Sequence, residues 1–83
     1  MYITVTMRIH NKEFDIQADD HLPIIEAAKT LDESFGVFHG SFPHYFKSSQ
    51  HGLVSGYCSF SQAEIHSGDI LTAIDILRGD GND

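Results

Sequence analysis

The sequence predicts a single α+β domain in which one helix packs on one face of a mixed β-sheet. Three observations support this fold class: two strands with alternating apolar residues open the chain, an amphipathic helix follows, and a long apolar strand comes last. The last strand, Ile70 to Leu77, is rich in isoleucine and leucine, so we expect it in the middle of the sheet. The domain should cover residues 1–77, with residues 78–83 forming a flexible polar tail.

The first two strands form a predicted β-hairpin. Apolar residues alternate with polar ones from Tyr2 to Ile9 and again from Glu13 to Ala18, which is typical of strands with one buried face. The three residues His10, Asn11 and Lys12 lie between the strands and predict a short turn. The predicted inward-facing residues are Ile3, Val5, Met7, Ile9, Phe14, Ile16 and Ala18.

A helix is predicted from about Leu22 to Phe35. Asp19 and Asp20 are placed to cap its N-terminus, where the helix dipole favours negative charge, and Pro23 is compatible with the first turn only. Gly36 is a common residue at a helix C-terminus and predicts the end. One apolar stripe should face the sheet; its residues recur at spacings of three and four and are Ile24, Ala27, Ala28, Leu31 and Phe35.

Two shorter strands and one helical turn are predicted between the helix and the last strand. We expect strands at His44–Ser48 and at Leu53–Tyr57, the second interrupted by Gly56. A single helical turn is expected at Ser59–Glu64, with Ser59 or Ser61 as its cap.

The remaining segments connect these elements. Phe38 and Phe42, in the linker after the helix, are expected to close the open end of the core. His66–Asp69 predicts a tight turn that leads into the last strand. We place that strand beside the first strand and parallel to it.

Composition and charge exclude several classes of partner. The 83 residues carry a formal net charge of −7 with only five lysines and arginines, whereas proteins that bind nucleic acid or anionic membranes need a basic surface. No apolar run approaches the roughly 20 residues of a membrane-spanning helix, so we expect no direct membrane insertion. The strand pattern at the start leaves no room for a targeting segment, and Cys58 is the single cysteine, so a reducing cytoplasm is the expected location.

The order of elements, β-β-α-β-β-turn-β, resembles the ubiquitin-like β-grasp. A closer resemblance lies in the motif Ser55-Gly56-x-Cys58-x-Phe60-Ser61, followed by Ile65 and by Gly68-Asp69-x-Leu71. The MYI start, the chain length and the aromatic strand at His44-Tyr45-Phe46 also agree. On these residues the chain is similar to the small ubiquitin-like YukD/EsaB family, which accompanies type VII (WXG100) secretion systems of Gram-positive bacteria. The resemblance implies a cytoplasmic, non-enzymatic accessory or regulatory protein whose partners are proteins of that secretion machinery.

A carrier or modifier protein of the same fold is the alternative. A conjugated modifier ends in a free Gly-Gly because an activating enzyme must adenylate an unhindered terminal carboxylate. Here Asp80 separates Gly79 from Gly81, and the last residue is Asp83. These residues argue against conjugation and equally against a sulfur carrier.

A small enzyme or metal protein is the third class of function, and the reactive side chains give it little support. The histidines show neither HxH nor HExxH spacing and fall mostly in predicted turns, so we expect no bound metal and no cofactor. Their positions are His10, His21, His39, His44, His51 and His66. Cys58 would need a neighbouring base to act as a nucleophile, and we expect it to fill the core instead. Asp19 and Asp20, with His21 beside them, resemble a catalytic acid pair. Helix capping would account for both carboxylates.

The candidate site is the face of the sheet that the helix leaves uncovered, which we call the open face. Alternation alone allows two registers for the last strand, and a shift by one residue reverses its faces. The resemblance implies that Leu71 and Ala73 face the helix. The open face would then carry Ile70, Thr72, Ile74 and Ile76 beside Thr4, Arg8, Tyr45 and Lys47.

An apolar patch with a tyrosine and basic flanks is typical of a protein-docking surface. We therefore predict partner contacts at Arg8, Tyr45, Lys47, Ile70, Ile74 and Ile76. A homodimer that uses the same face is an alternative, since it would also bury the isoleucines.

Overall fold

The computed structural model describes residues 1–38 and 42–74 and confirms the predicted fold class. Its elements are strands β1 (Tyr2–Ile9) and β2 (Lys12–Asp19), helix α1 (Ile24–Phe35), and strands β3 (Tyr45–Ser48), β4 (Gly52–Ser55) and β5 (Ile70–Ile74). The strands form one five-stranded sheet in the order β2-β1-β5-β3-β4. As predicted, β5 lies at the centre and is parallel to β1. Its other neighbour is β3, to which it is antiparallel. The predicted extension of this strand to residue 77 and the predicted tail lie outside the described residues.

A two-residue turn joins β1 to β2. His10 and Asn11 have positive φ angles of 51° and 69°, which suit the type I′ turn found between tightly connected antiparallel strands. Ile9 pairs with Lys12 across this turn. Lys12 is therefore the first residue of β2, not the last residue of a three-residue turn.

The core lies between the sheet and α1. Met7, Leu71 and Phe46 come from three adjacent strands and are fully buried, so each contributes about 1.5–3 kcal/mol of hydrophobic stabilisation. Phe38 is buried and its ring lies 5.2 Å from that of Phe42, which packs against the core. The buried apolar residues are Ile3, Val5, Met7, Ile9, Ala18, Ile24, Ile25, Ala27, Ala28, Leu31, Phe38, Phe46, Phe60, Ile65 and Leu71.

Backbone carbonyls from a distant segment bind the N-terminal amides of α1. Pro23 is the N-cap residue, and no side chain caps the helix. The backbone N–H of Ile24 donates to the carbonyl of Cys58 at 2.9 Å, and that of Ile25 donates to the carbonyl of Gly56 at 2.8 Å. Two of the amides that lack a partner within the helix are satisfied in this way, and the helix start is tied to the segment after β4.

The prediction that Asp19 and Asp20 cap the helix is wrong. Asp19 is the last residue of β2, and its Oδ1 accepts a hydrogen bond from the backbone N–H of His21 at 2.9 Å. Asp20 Oδ1 lies 3.4 Å from the ammonium group of Met1. Because two more residues follow before the N-cap, neither carboxylate reaches the helix amides.

Strand β4 ends at Ser55, two residues before the predicted end at Tyr57. The chain leaves the sheet at Gly56, whose N–H still donates to the carbonyl of His44 at 2.8 Å. Its carbonyl turns towards the helix, where it accepts from Ile25. Strand β4 therefore ends here, because the Gly56 carbonyl binds the helix start and not a neighbouring strand.

The segment after residue 58 forms a hydrogen-bonded turn with the cap that the sequence predicts. Ser59 Oγ accepts from the backbone N–H of Gln62 at 3.0 Å, and Gln62 Oε1 accepts from the backbone N–H of Ser59 at 2.9 Å. This reciprocal pair is a capping box. The N–H of Ala63 adds one helical hydrogen bond to the carbonyl of Ser59 at 3.0 Å.

The C-terminus of α1 confirms one prediction and corrects another. Gly36 has a left-handed φ of 64° and its N–H donates to the carbonyl of Asp32, as expected of a C-cap glycine. Phe35, predicted in the buried stripe, is 63% exposed. As the last residue of the helix it extends past the core, and its ring packs on Phe14 of the edge strand β2 at 5.2 Å. Ile25 is buried in addition to the other predicted stripe residues.

Candidate protein-docking face

One row of side chains crosses the open face from β1 to β4. Residues that pair directly in neighbouring strands point to the same face of a sheet. Arg8 pairs with Thr72, Thr72 pairs with Lys47, and Lys47 pairs with Leu53. The centre of the row therefore carries a threonine between two basic residues, and a leucine lies at its β4 end.

Apolar side chains lie on both sides of this row. Ile74 pairs with Tyr45 on one side, and Ile70 pairs with Thr6 on the other. Both isoleucines are half-buried in the sheet, whereas Tyr45 is 41% and Leu53 58% exposed. Tyrosine and leucine surface on β3 and β4 is thus accessible to a partner, next to the half-buried isoleucines of β5.

Acidic side chains lie along the β2 edge of the open face, and Lys47 lies near its middle. Glu13 Oε2 accepts from Arg8 Nη2 at 2.6 Å and from Nε at 2.9 Å, and Asp15 Oδ1 accepts from the hydroxyl of Thr6 at 2.7 Å. These acids belong to the edge strand β2 and are held by side chains of β1. Lys47 has no ion-pair partner within residues 1–38 and 42–74, so its charge is presented near the middle of the face.

A cavity of about 240 Å³ opens between β1, β5 and the end of β3. Its lining residues are Arg8, Lys47, Ser48, Ser49, Ile70 and Thr72. Ser49 Oγ accepts from the backbone N–H of Ile70 at 3.2 Å, and Ser48 Oγ accepts from the N–H groups of Gln50 and His51 at 3.0 and 3.1 Å. Backbone donors therefore hold both serine oxygens in place.

The structure brings the predicted site residues together wherever it describes them. The residues on the open face are Arg8, Tyr45, Lys47, Ile70 and Ile74. Leu71 is fully buried and Ala73 packs against the core, so the register implied by the resemblance is confirmed. Ile76 lies outside the described residues.

Sequence reasoning missed Leu53, which is more exposed than Tyr45 and lies directly opposite Lys47. The position of the turn at residues 49–51 would have been enough to assign Leu53 to the open face. Pairing the strands on either side of this turn places residue 53 opposite residue 47, and therefore on the same face.

The acidic residues and histidine at positions 19–21, considered above as a possible catalytic group, contact one another and the N-terminus. Among the described residues, Asp19, Asp20 and His21 lie together, with their ligand atoms within 4.8 Å of one another. His21 Nδ1 is 3.1 Å from Asp20 Oδ1, which also contacts the ammonium of Met1. The backbone N–H of His21 lowers the pKa of Asp19 below its usual 3.8, and the His21 ring and the Met1 ammonium act in the same direction.

The remaining described histidines are solvent-exposed, and Cys58 is only half-buried. These histidines are His10, His44, His51 and His66. His39 lies outside the described residues. The contribution of Cys58 to the fold comes from its carbonyl at the helix start, in addition to its partly covered side chain.

These elements define a ubiquitin-like β-grasp: a β-hairpin, one helix across the sheet, and a central last strand parallel to the first. No protein-family model and no curated protein matches the chain. The described part of the chain has no helix with the length and apolar character needed to cross a membrane.

Proposed function

We propose that this protein is a non-enzymatic, ubiquitin-like interaction module that serves a bacterial type VII secretion system as an accessory or regulatory protein. It acts in the cytoplasm by docking to a protein of that machinery and not by conjugation. The observation that carries the docking role is the open face, where Tyr45, Leu53, Ile70 and Ile74 remain uncovered by α1 around Lys47. An exposed apolar patch with polar surroundings is the usual form of a protein interface.

The choice of a secretion system comes from the resemblance of the last third of the chain. Its motif residues have structural roles that are compatible with a binding protein. Gly56 and Cys58 bind the helix amides through their carbonyls, and Gly68, with a φ of 96°, forms the turn before β5. Asp69 closes that turn by accepting from the backbone N–H of His66 at 3.0 Å. The motif therefore orients the helix and β5. The open face lies on the side of β5 that points away from the helix.

Binding to purified cytosolic domains of a type VII secretion ATPase tests the proposal. The Ile74→Asp variant introduces a charge beside Tyr45 on the docking face, and we expect its affinity to fall about tenfold or more, as at a residue that contributes strongly to an interface. Ser34→Asp adds the same charge to the exposed surface of α1, on the opposite side of the sheet, and should bind like wild type. Circular dichroism should show both variants folded.

Leu71→Asp provides the contrast within the same strand. Leu71 is fully buried, so an unpaired carboxylate there should unfold the domain. Unchanged binding by Ile74→Asp would refute docking through the open face. Unfolding by Ile74→Asp together with a folded Leu71→Asp would refute the assignment of faces.

A further inference from the structure

We propose that the cavity on the open face receives a carboxylate, so that the partner docks through an acidic side chain flanked by apolar residues. The inference rests on the proposed docking function and specifies the chemistry of the partner. The cavity of about 240 Å³ is several times the roughly 30 Å³ that one water occupies. A carboxylate and some water molecules therefore fit together.

Two basic residues line the cavity, although the charge of Arg8 is balanced by its ion pair with Glu13. The whole chain carries a net charge of −7 and five lysines and arginines, yet Arg8 and Lys47 both line this one cavity. Arg8 uses Nε and Nη2 on Glu13, and its Nη1 makes no hydrogen bond within residues 1–38 and 42–74. Both side chains can donate to an incoming anion, and hydrogen bonds between two charged groups are the strong ones.

Hydroxyl groups complete the set of donors. Ser49 Oγ accepts from the N–H of Ile70, so its own proton remains to be donated. Thr72 lies between Arg8 and Lys47 in the row across the sheet. Ammonium, guanidinium and hydroxyl donors around one opening match the acceptor-only carboxylate.

The surroundings of the cavity narrow the choice of occupant. Leu53 and Tyr45 are exposed beside Lys47, so the residues next to the partner's acid should be apolar. A basic group that entered the cavity would meet the ammonium group of Lys47. In a second copy of the chain, a twofold contact through this face would place the two Lys47 side chains near each other.

Two blocked heptapeptides test the inference when titrated against the full chain labelled with nitrogen-15. Both peptides carry leucines around the central residue, which is glutamate in one and glutamine in the other. We expect the glutamate peptide to bind about threefold to tenfold more tightly at low salt, the range expected for charged hydrogen bonds at an open site. The amide signals of residues 47–49 and 70–72 should shift, and the advantage should shrink as salt is added.

Matched lysine variants locate the effect. Lys47→Gln should remove the preference for the glutamate peptide. Lys29→Gln removes the same charge from α1, where Lys29 Nζ lies 3.5 Å from Glu26 Oε2, and this variant should retain the preference. Equal binding of the two peptides, or equal effects of the two variants, would overturn the inference. A concentration-dependent dimer that shifts the same amides would identify a second copy as the occupant and would also overturn it.

The two proposals can fail separately. If both peptides bind equally while Ile74→Asp abolishes binding to the secretion domain, the carboxylate site is wrong and the docking role stands. If Ile74→Asp leaves that binding unchanged, the docking role is wrong whatever the peptides show.

Discussion

Replacing Gly56 with alanine tests how closely the segment after β4 approaches the sheet and the helix. A Cβ atom at this position would lie 3.0 Å from Cε1 of Phe46, 3.2 Å from the carbonyl oxygen of His44 and 3.4 Å from Cβ of Ile25. Phe46 is fully buried and cannot move into solvent. The His44 carbonyl is already fixed by the N–H of Gly56 at 2.8 Å. The added methyl group therefore requires the Phe46 ring and the His44 carbonyl to move by a few tenths of an ångström.

The expected loss of stability follows from two opposing contributions. Overpacking a core by a methyl group costs about 1–3 kcal/mol. Alanine also restricts the unfolded chain, which offsets about 0.4–1 kcal/mol. We expect the Gly56→Ala variant to be destabilised by about 1–2 kcal/mol, which corresponds to a Tm lower by about 5–15 °C in a domain of this size.

Urea and thermal unfolding followed by circular dichroism would measure this change. Phe46→Leu is the matched companion because it shortens the side chain nearest to the new methyl group. The double variant should be less destabilised than the sum of the two single variants, since the shorter side chain admits the methyl. A Gly56→Ala variant as stable as wild type, or strictly additive losses, would refute the close contact.

Two further predictions concern the capping box and Asp19. Ser59→Ala removes the acceptor for the Gln62 amide and should lower the free energy of unfolding by about 1 kcal/mol, whereas Ser61→Ala at the exposed neighbouring serine should change it by less than about 0.5 kcal/mol. Equal losses in the two serine variants would contradict the capping role. Carboxyl NMR should show Asp19 with a pKa below 3.8, and His21→Ala should leave this pKa below 3.8 because the backbone donor, the largest cause of the shift, remains. Since folding depresses this pKa, the associated stabilisation is present at neutral pH and is lost as the pH falls through the folded value; a titration at or above 3.8 would contradict the contact.

The N-terminal hairpin and the helix could be predicted because their patterns are local. Apolar residues every second position in β1 and at spacings of three and four in α1 directly indicate which side of each element is buried. The errors lie where a local rule competes with a distant partner. Asp19 and Asp20 have the usual residue type for a helix cap, yet the helix amides bind the carbonyls of Gly56 and Cys58, more than thirty residues further along the chain.

The open face was only partly predictable. The position of Tyr45 and Lys47 on one side of β3 follows from alternation, but both faces of β5 are apolar, so alternation could not choose its register. The burial of Leu71 beside Met7 makes that choice in the structure. Leu53 was missed because no face was assigned to the short strand β4.

The sequence by itself determined the kinds of elements, their order and the alternation of the two longest strands, since these depend on residues close together in the chain. Only the tertiary structure decided that Arg8, Thr72 and Lys47 form one row, and that Ser49 and Ile70 meet at one cavity. The physical reason is that strand pairing joins residues far apart in sequence. The hydrogen bond between Ser49 and Ile70 spans 21 residues, and no local pattern specifies such a contact.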